Sequence, residues 1–314
     1  MALIAFLLAA TLGGAPPRPP PEPPPQVAAR LGQYGEGAAL VTVYEAEGRL
    51  RAFGPGRDGP ELPKVAFERG MLVLDGRRLP RRDPGAETVK LIRSGVSADP
   101  AAVRARALAA TPPVETGKRP ADLVDVTTID RRIRLDIRYA GRDNFMGFPL
   151  YERAAAYLQR PAAEALGRVQ ARLAAQGYGL LIHDGYRPWF VTKMFWDATP
   201  PEDHMFVADP AQSSRHNRGC AVDLTLYDLK TGKAVVMTGR YDEMSDRSYA
   251  DFRGGTARQR WLRGVLRDAM EAEGFQVLPE EWWHFDYRDW AAYGIGDATF
   301  TDLAARAQKA PPRS

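Results

Sequence analysis

Two short motifs, far apart in the chain, constrain this fold more than any other feature. Ser214-Arg215-His216-Asn217-Arg218-Gly219-Cys220-Ala221-Val222-Asp223 puts a histidine and an aspartate on one segment, and Glu281-Trp282-Trp283-His284 puts a glutamate and a histidine on a later one. Together they offer three candidate metal ligands and one spare carboxylate. A catalytic zinc uses such a set: N and O ligands from three side chains, an open fourth position for water, and a nearby base. If both motifs serve one centre, the chain must bring a turn, the strand after it and a distant strand to one place. Of the chain's four histidines, these motifs hold two. A bend at Gly219 would let His216 and Asp223 converge.

Bulk properties exclude several classes. The 314 residues suffice for one large domain or two smaller ones, with a substantial core. A formal net charge of +4, with arginines scattered rather than clustered, gives no footprint for nucleic acid. One cysteine, Cys220, rules out an internal disulfide and a multi-thiolate metal site.

Residues 1–15 read as a signal peptide. An apolar run over 3–12 is too short to span a bilayer, and small residues (Gly13, Gly14, Ala15) follow it, although no Lys or Arg precedes it. Export to the periplasm or cell exterior is the expectation, with no transmembrane span in the mature chain. Residues 16–26 are a Pro-rich linker of polyproline II character. From 27 to 83, short apolar runs punctuated by Gly, Asp and Pro predict a small antiparallel β module with an unknown partner. Residues 84–122 read as a connector carrying a helix near 101–110. The second domain spans 123–295, with 296–314 as a tail.

Within 123–295, the pattern predicts a strand over 133–139 and a long helix over 153–176 that Pro161 kinks or breaks. Further strands are expected over 179–183, 220–226, 275–278 and 282–287, with an amphipathic helix over 258–273. Strands and helices without regular βαβ alternation predict the α+β class.

The glutamate beside His284 poses a geometric problem. Positions three apart on an ideal strand face opposite sides, so Glu281 can share a site with His284 only if the strand bends or bulges. Glu280 has the better parity.

The chain resembles the D-alanyl-D-alanine dipeptidases, the VanX-like zinc D,D-dipeptidases of peptidase family M15. The resemblance runs over 123–287. It rests on Asp136-Ile137-Arg138-Tyr139-Ala140, Asp143-Asn144-Phe145-Met146-Gly147, Asp184-Gly185-Tyr186-Arg187-Pro188 and the two opening motifs. It implies the zinc D,D-peptidase (Hedgehog/DD-peptidase-like) fold, a mainly antiparallel sheet flanked by helices. It also implies one Zn2+ per chain held by His216, Asp223 and His284. Glu281 would be the general base, favoured over Glu280 by family spacing, and Arg187 the oxyanion stabiliser. Asp242 would meet the substrate ammonium, although Tyr241-Asp242-Glu243-Met244 departs from the aromatic residues that usually flank this aspartate. Tyr139 and Ser214 would lie near the substrate's amino end.

The resemblance implies hydrolysis of the D-Ala-D-Ala dipeptide in wall turnover or glycopeptide resistance. Two alternatives stand beside it: a D,D-carboxypeptidase or endopeptidase on peptidoglycan stem peptides, and a non-catalytic wall-binding protein. Other residues have plainer expectations. His183 reads as a core histidine, His204 as solvated, Cys220 as a small buried residue, and Trp282 and Trp283 as packing.

Overall fold

The computed structural model describes residues 18–96 and 99–309. The expected signal peptide at 1–15 lies outside the described residues. A short helix, α1 (Pro25–Ala28), follows the proline run. Seven short strands come next: β1 (Gly32–Tyr34), β2 (Val41–Ala46), β3 (Arg49–Phe53), β4 (Ala66–Glu68), β5 (Met71–Leu74), β6 (Arg77–Leu79) and β7 (Arg81–Arg82). They form two antiparallel sheets, ordered β3-β2-β1-β7 and β4-β5-β6. Tyr34, Val41, Val43, Ala52 and Leu72 make a small apolar core of their own.

The span between this region and residue 123 holds two helices, α2 (Pro84–Gly95) and α3 (Pro100–Ala109). Each starts with proline behind an aspartate, Asp83 or Asp99, whose side chain accepts from the backbone N–H three residues on. Ile92, Val103 and Ala107 from these helices are buried in the main core.

That core is built on a five-stranded sheet. Its elements are β8 (Leu123–Asp125), β9 (Arg134–Leu135), β10 (Tyr157–Gln159), α4 (Arg160–Ala174), β11 (Tyr178–Asp184), α5 (Trp189–Ala198), β12 (Ala221–Asp228), α6 (Ala257–Glu271), β13 (Phe275–Leu278), β14 (Glu281–Tyr287) and α7 (Phe300–Lys309). The sheet order is β13-β14-β12-β11-β9, antiparallel except for the β11–β9 pair, while β8 and β10 pair separately. The chain is therefore mixed α+β. Among the described residues, no helix is long and apolar enough to cross a membrane.

Two expected elements change, and one helix was not expected. Pro161 neither kinks nor breaks α4: it stands in the first turn, where its missing N–H costs nothing, and the residues before it form β10. The strand expected over 133–139 shrinks to β9, because Arg138, Tyr139 and Ala140 turn into a 3-10 segment that leaves the sheet. The helix α5 has only a weak amphipathic signature: Trp189, Phe190, Val191, Met194 and Phe195 are buried over a broad arc, leaving Lys193, Trp196 and Asp197 half-buried on one narrow face.

Candidate metal centre

His216 sits on a single 3-10 turn, residues 215–218, directly ahead of β12. Ser214 caps that turn. Its hydroxyl accepts from His216 N–H at 3.3 Å, and Asn217 Oδ1 accepts from Ser214 N–H at 2.8 Å. Gly219 ends the turn at φ 68°, in the left-handed region, where a Cβ would also fall 2.4 Å from Leu123 Cδ2. The expected bend is therefore present. Asn217 also donates to Arg187 O at 2.8 Å, and Arg187 N–H donates to His216 O at 3.1 Å. These bonds fasten the 184–188 loop to the turn bearing His216.

Asp223 on β12 pairs in register with His284 on the antiparallel β14. Directly opposed residues share a face, so both side chains point to the same side of the sheet. The β14 strand is irregular against β13: Val277 opposes Phe285, but the next residue, Leu278, opposes Glu281. Residues 282–284 are left over as a bulge, which breaks the two-residue parity. Glu281 thereby reaches His284, with Oε2 3.7 Å from Nδ1, and its side chain is 39% exposed. Glu280 precedes the strand and is exposed to solvent.

His216 Nε2, Asp223 Oδ1 and His284 Nδ1 converge. The three separations are 3.1 Å between the two ring nitrogens, 3.3 Å from His216 to Asp223, and 3.0 Å from His284 to Asp223. Each ring is held from behind. His216 Nδ1 bonds to Gly185 O at 2.7 Å, and His284 Nε2 bonds to Asp286 Oδ1 at 3.1 Å. Those outer partners are acceptors, so the ring protons sit on the outer nitrogens and the inner nitrogens present lone pairs.

Three buried lone-pair atoms facing one point repel one another unless a cation lies between them. A tetrahedral metal at about 2.0–2.1 Å sets its ligand atoms roughly 3.3 Å apart, close to the separations here. The residues fit a metal ion. Without a cation the cluster draws in a proton instead. Burial disfavours charge on His284, yet its bonds to Asp223 and Asp286 hold its pKa up at about 10. Burial likewise opposes ionisation of Asp223, but His216 and His284 outweigh it and hold the carboxyl far below its usual range.

Around this point stand the other expected residues. Arg187 is buried, donates to Asp184 Oδ2 through Nε at 3.0 Å and Nη2 at 2.9 Å, and lies over the rings of Phe195 and Tyr139. Tyr139 OH donates to Asp242 Oδ2 at 2.7 Å. Burial raises the Asp242 carboxyl to about 8; the Tyr139 bond works against this, while Asp223 and Glu281 add to it. Burial, and Asp223 nearby, raise the Glu281 carboxyl despite the opposing pull of His284.

Sequence reading overlooked three residues: Asp286 behind His284, Asp184 behind Arg187, and Tyr241, whose OH donates to Asp223 Oδ2 at 3.0 Å. Asp286 had a usable signal. It lies two positions after His284 on one strand, hence on the same face. His183 is buried, with Nδ1 3.2 Å from Asp136 O and its ring stacked on Tyr241. His204 is not solvated as expected. It stacks on Trp196 at 3.8 Å, and Nε2 meets Trp196 O and Thr199 O, because the 3-10 segment after α5 folds back on that helix. Cys220 is buried just ahead of β12, and burial pushes its thiol up to about 12.

A mixed α+β sheet that directs two imidazoles and a carboxylate at one buried point, with a glutamate alongside, defines a metal-dependent hydrolase class of site. The sequence model of the D-ala-D-ala dipeptidase family, peptidase family M15, matches residues 119–304. The chain belongs to that family. It is 34% identical over 174 residues to the D-alanyl-D-alanine dipeptidase of Escherichia coli, covering 55% of this chain and 89% of that protein. Against the D-alanyl-D-alanine dipeptidase of Enterococcus faecium it is 37% identical over 175 residues, covering 50% and 87%. The Streptomyces coelicolor dipeptidase is 34% identical over 189 residues, covering 54% and 92%.

Proposed function

We propose that this protein is a zinc peptidase that hydrolyses the D-Ala-D-Ala dipeptide, with the metal held by His216, Asp223 and His284. The single observation carrying this reading is the convergence of their three lone-pair atoms with Glu281 alongside. Bound there, zinc would supply a Lewis acid and a water of lowered pKa. Glu281 takes a proton from the attacking water and hands it to the departing amine nitrogen. Its side chain, 39% exposed, is open to proton exchange. Arg187, oriented by Asp184, donates to the scissile carbonyl oxygen as negative charge builds. Asp242, held by Tyr139, accepts the substrate's ammonium; an N-acylated peptide would leave this carboxylate unpaired. Ser214 acts through His216, as the cap of its turn.

We assign the 123–295 region to the zinc D,D-peptidase fold and 27–83 to a small all-β domain, supported by the latter's separate apolar core. Periplasmic or secreted placement goes with this reading. Glu281→Ala and Glu280→Ala, compared for turnover and bound zinc, test the mechanism. The expected result is lost turnover with retained zinc in Glu281→Ala alone; loss in Glu280→Ala alone would overturn it.

A further inference from the structure

We infer that Asp83, which lies ahead of the family-matched residues, is a positioning residue that clamps the loop carrying Asp242 and so sets recognition of the substrate's amino end. The inference rests on the reading of Asp242 given above. Asp242 has φ 55°, a left-handed conformation that costs a non-glycine residue energy and persists only where its surroundings enforce it. Those surroundings are two nested carboxylate contacts. Inside the loop, the buried Glu243 side chain accepts from Arg240 N–H at 2.8 Å, from Ser245 Oγ at 2.6 Å and from Arg247 Nε. This closes residues 240–247 on themselves.

The same two arginines then reach outward to one partner. Arg240 Nη2 lies 2.8 Å from both Asp83 oxygens, and Arg247 Nη2 lies 2.8 Å from Asp83 Oδ1. Close approach is secured by Gly85, where a Cβ would fall 2.4 Å from Glu243 Cγ. The start of α2 therefore seats directly on the loop. On the loop's other side, Tyr241 bonds Asp223 and Asp242 bonds Tyr139. Asp242 is thus suspended between the metal ligands and a clamp supplied from outside the family region.

Asp83 is 43% exposed, and its partners Arg240 and Arg247 are 58% and 23% exposed, so these solvent-screened pairs add little to stability. Their effect is on position, and a small misplacement of a recognition group suffices to weaken binding. Asp83 also caps α2, a role asparagine fills equally well. Asp83→Asn therefore removes the charge while sparing the cap, and Arg240→Gln cuts the same clamp from the loop side.

The test measures kcat, KM and Tm with free D-Ala-D-Ala, and kcat/KM with N-acetyl-D-Ala-D-Ala, on the zinc-loaded full chain. Both variants are expected to raise KM for the free dipeptide about tenfold, with kcat and Tm near wild type. Preference for the free amine should fall by a similar factor, and Asp83→Glu should recover part of it. Wild-type KM and preference in both variants would overturn the inference. So would equal losses on both substrates tracking a fallen Tm, which mark a purely structural role. Wild-type protein inert toward the dipeptide would instead sink the functional reading, and this inference with it.

Discussion

Replacing Asp286 by asparagine probes the centre from behind. Asp286 Oδ1 accepts the outer N–H of His284, and its other oxygen is paired with Arg215. The carboxylate accepts only, so it fixes the imidazole proton on Nε2 and leaves Nδ1 free to bind metal. An asparagine of the same shape can turn its NH2 toward Nε2. The ring proton then moves to Nδ1, which removes a ligand lone pair. Loss of such an outer partner typically costs about 10–100-fold in metal affinity or activity, or about 1.4–2.7 kcal/mol. Competition against a chromophoric chelator should show Asp286→Asn weaker for zinc by this factor. Turnover should recover in part at saturating zinc. Arg215→Gln leaves the Asp286–His284 bond intact and should cost far less. Wild-type zinc affinity in Asp286→Asn would refute the tautomer argument.

Two further outcomes follow from shifted carboxyls. Asp242, raised to about 8, stays protonated in the folded metal-free chain while the unfolded chain ionises near its ordinary value. Between those pH values ionisation favours unfolding, so Asp242→Asn should raise the Tm of chelator-treated protein at pH 8, with a gain that shrinks toward pH 4, while abolishing preference for a free amine. An unchanged Tm across that range would contradict the burial argument. Glu115 behaves oppositely: the Arg218 bidentate pair, with both bonds at 2.9 Å, holds its carboxyl below the usual range. Its stabilisation is present above the ordinary glutamate pKa and is lost as pH falls through the lowered one. Glu115→Gln should therefore lower Tm at pH 7 and converge with wild type in acid, and a deficit persisting at the lowest pH would argue for packing instead.

His216, Asp223 and His284 were visible in sequence as candidate ligands, and the resemblance joined them into one set; the fold brings the three together. Glu281 was favoured as the candidate base only through family spacing. Parity along β14 points to Glu280, and what overrides it is a bulge at residues 282–284 that depends on how β13 ends against β14. Tertiary pairing decides such a bulge, and a single strand's pattern does not reveal it. The helix α5 was hidden for a different reason: its apolar arc is broad, and Trp196 shares the remaining face with Lys193 and Asp197, which blurs the 3.6-residue period. Helix α2 did carry a start signal, Asp83 followed by Pro84, in a span read only as connector. Tyr241 could not be paired with Asp223 before the loops were placed, since that bond joins separate segments whose approach the fold determines, whereas Asp184 lies only three residues before Arg187 and its pairing was locally available.

The most direct measurement is D-alanine release from free D-Ala-D-Ala and from a stem pentapeptide ending in D-Ala-D-Ala, before and after chelation and zinc restoration. Release from the free dipeptide is expected to vanish with chelation and to return with about one zinc per chain, with little release from the pentapeptide. Release from the pentapeptide alone, or undiminished release without metal, would contradict the proposed function.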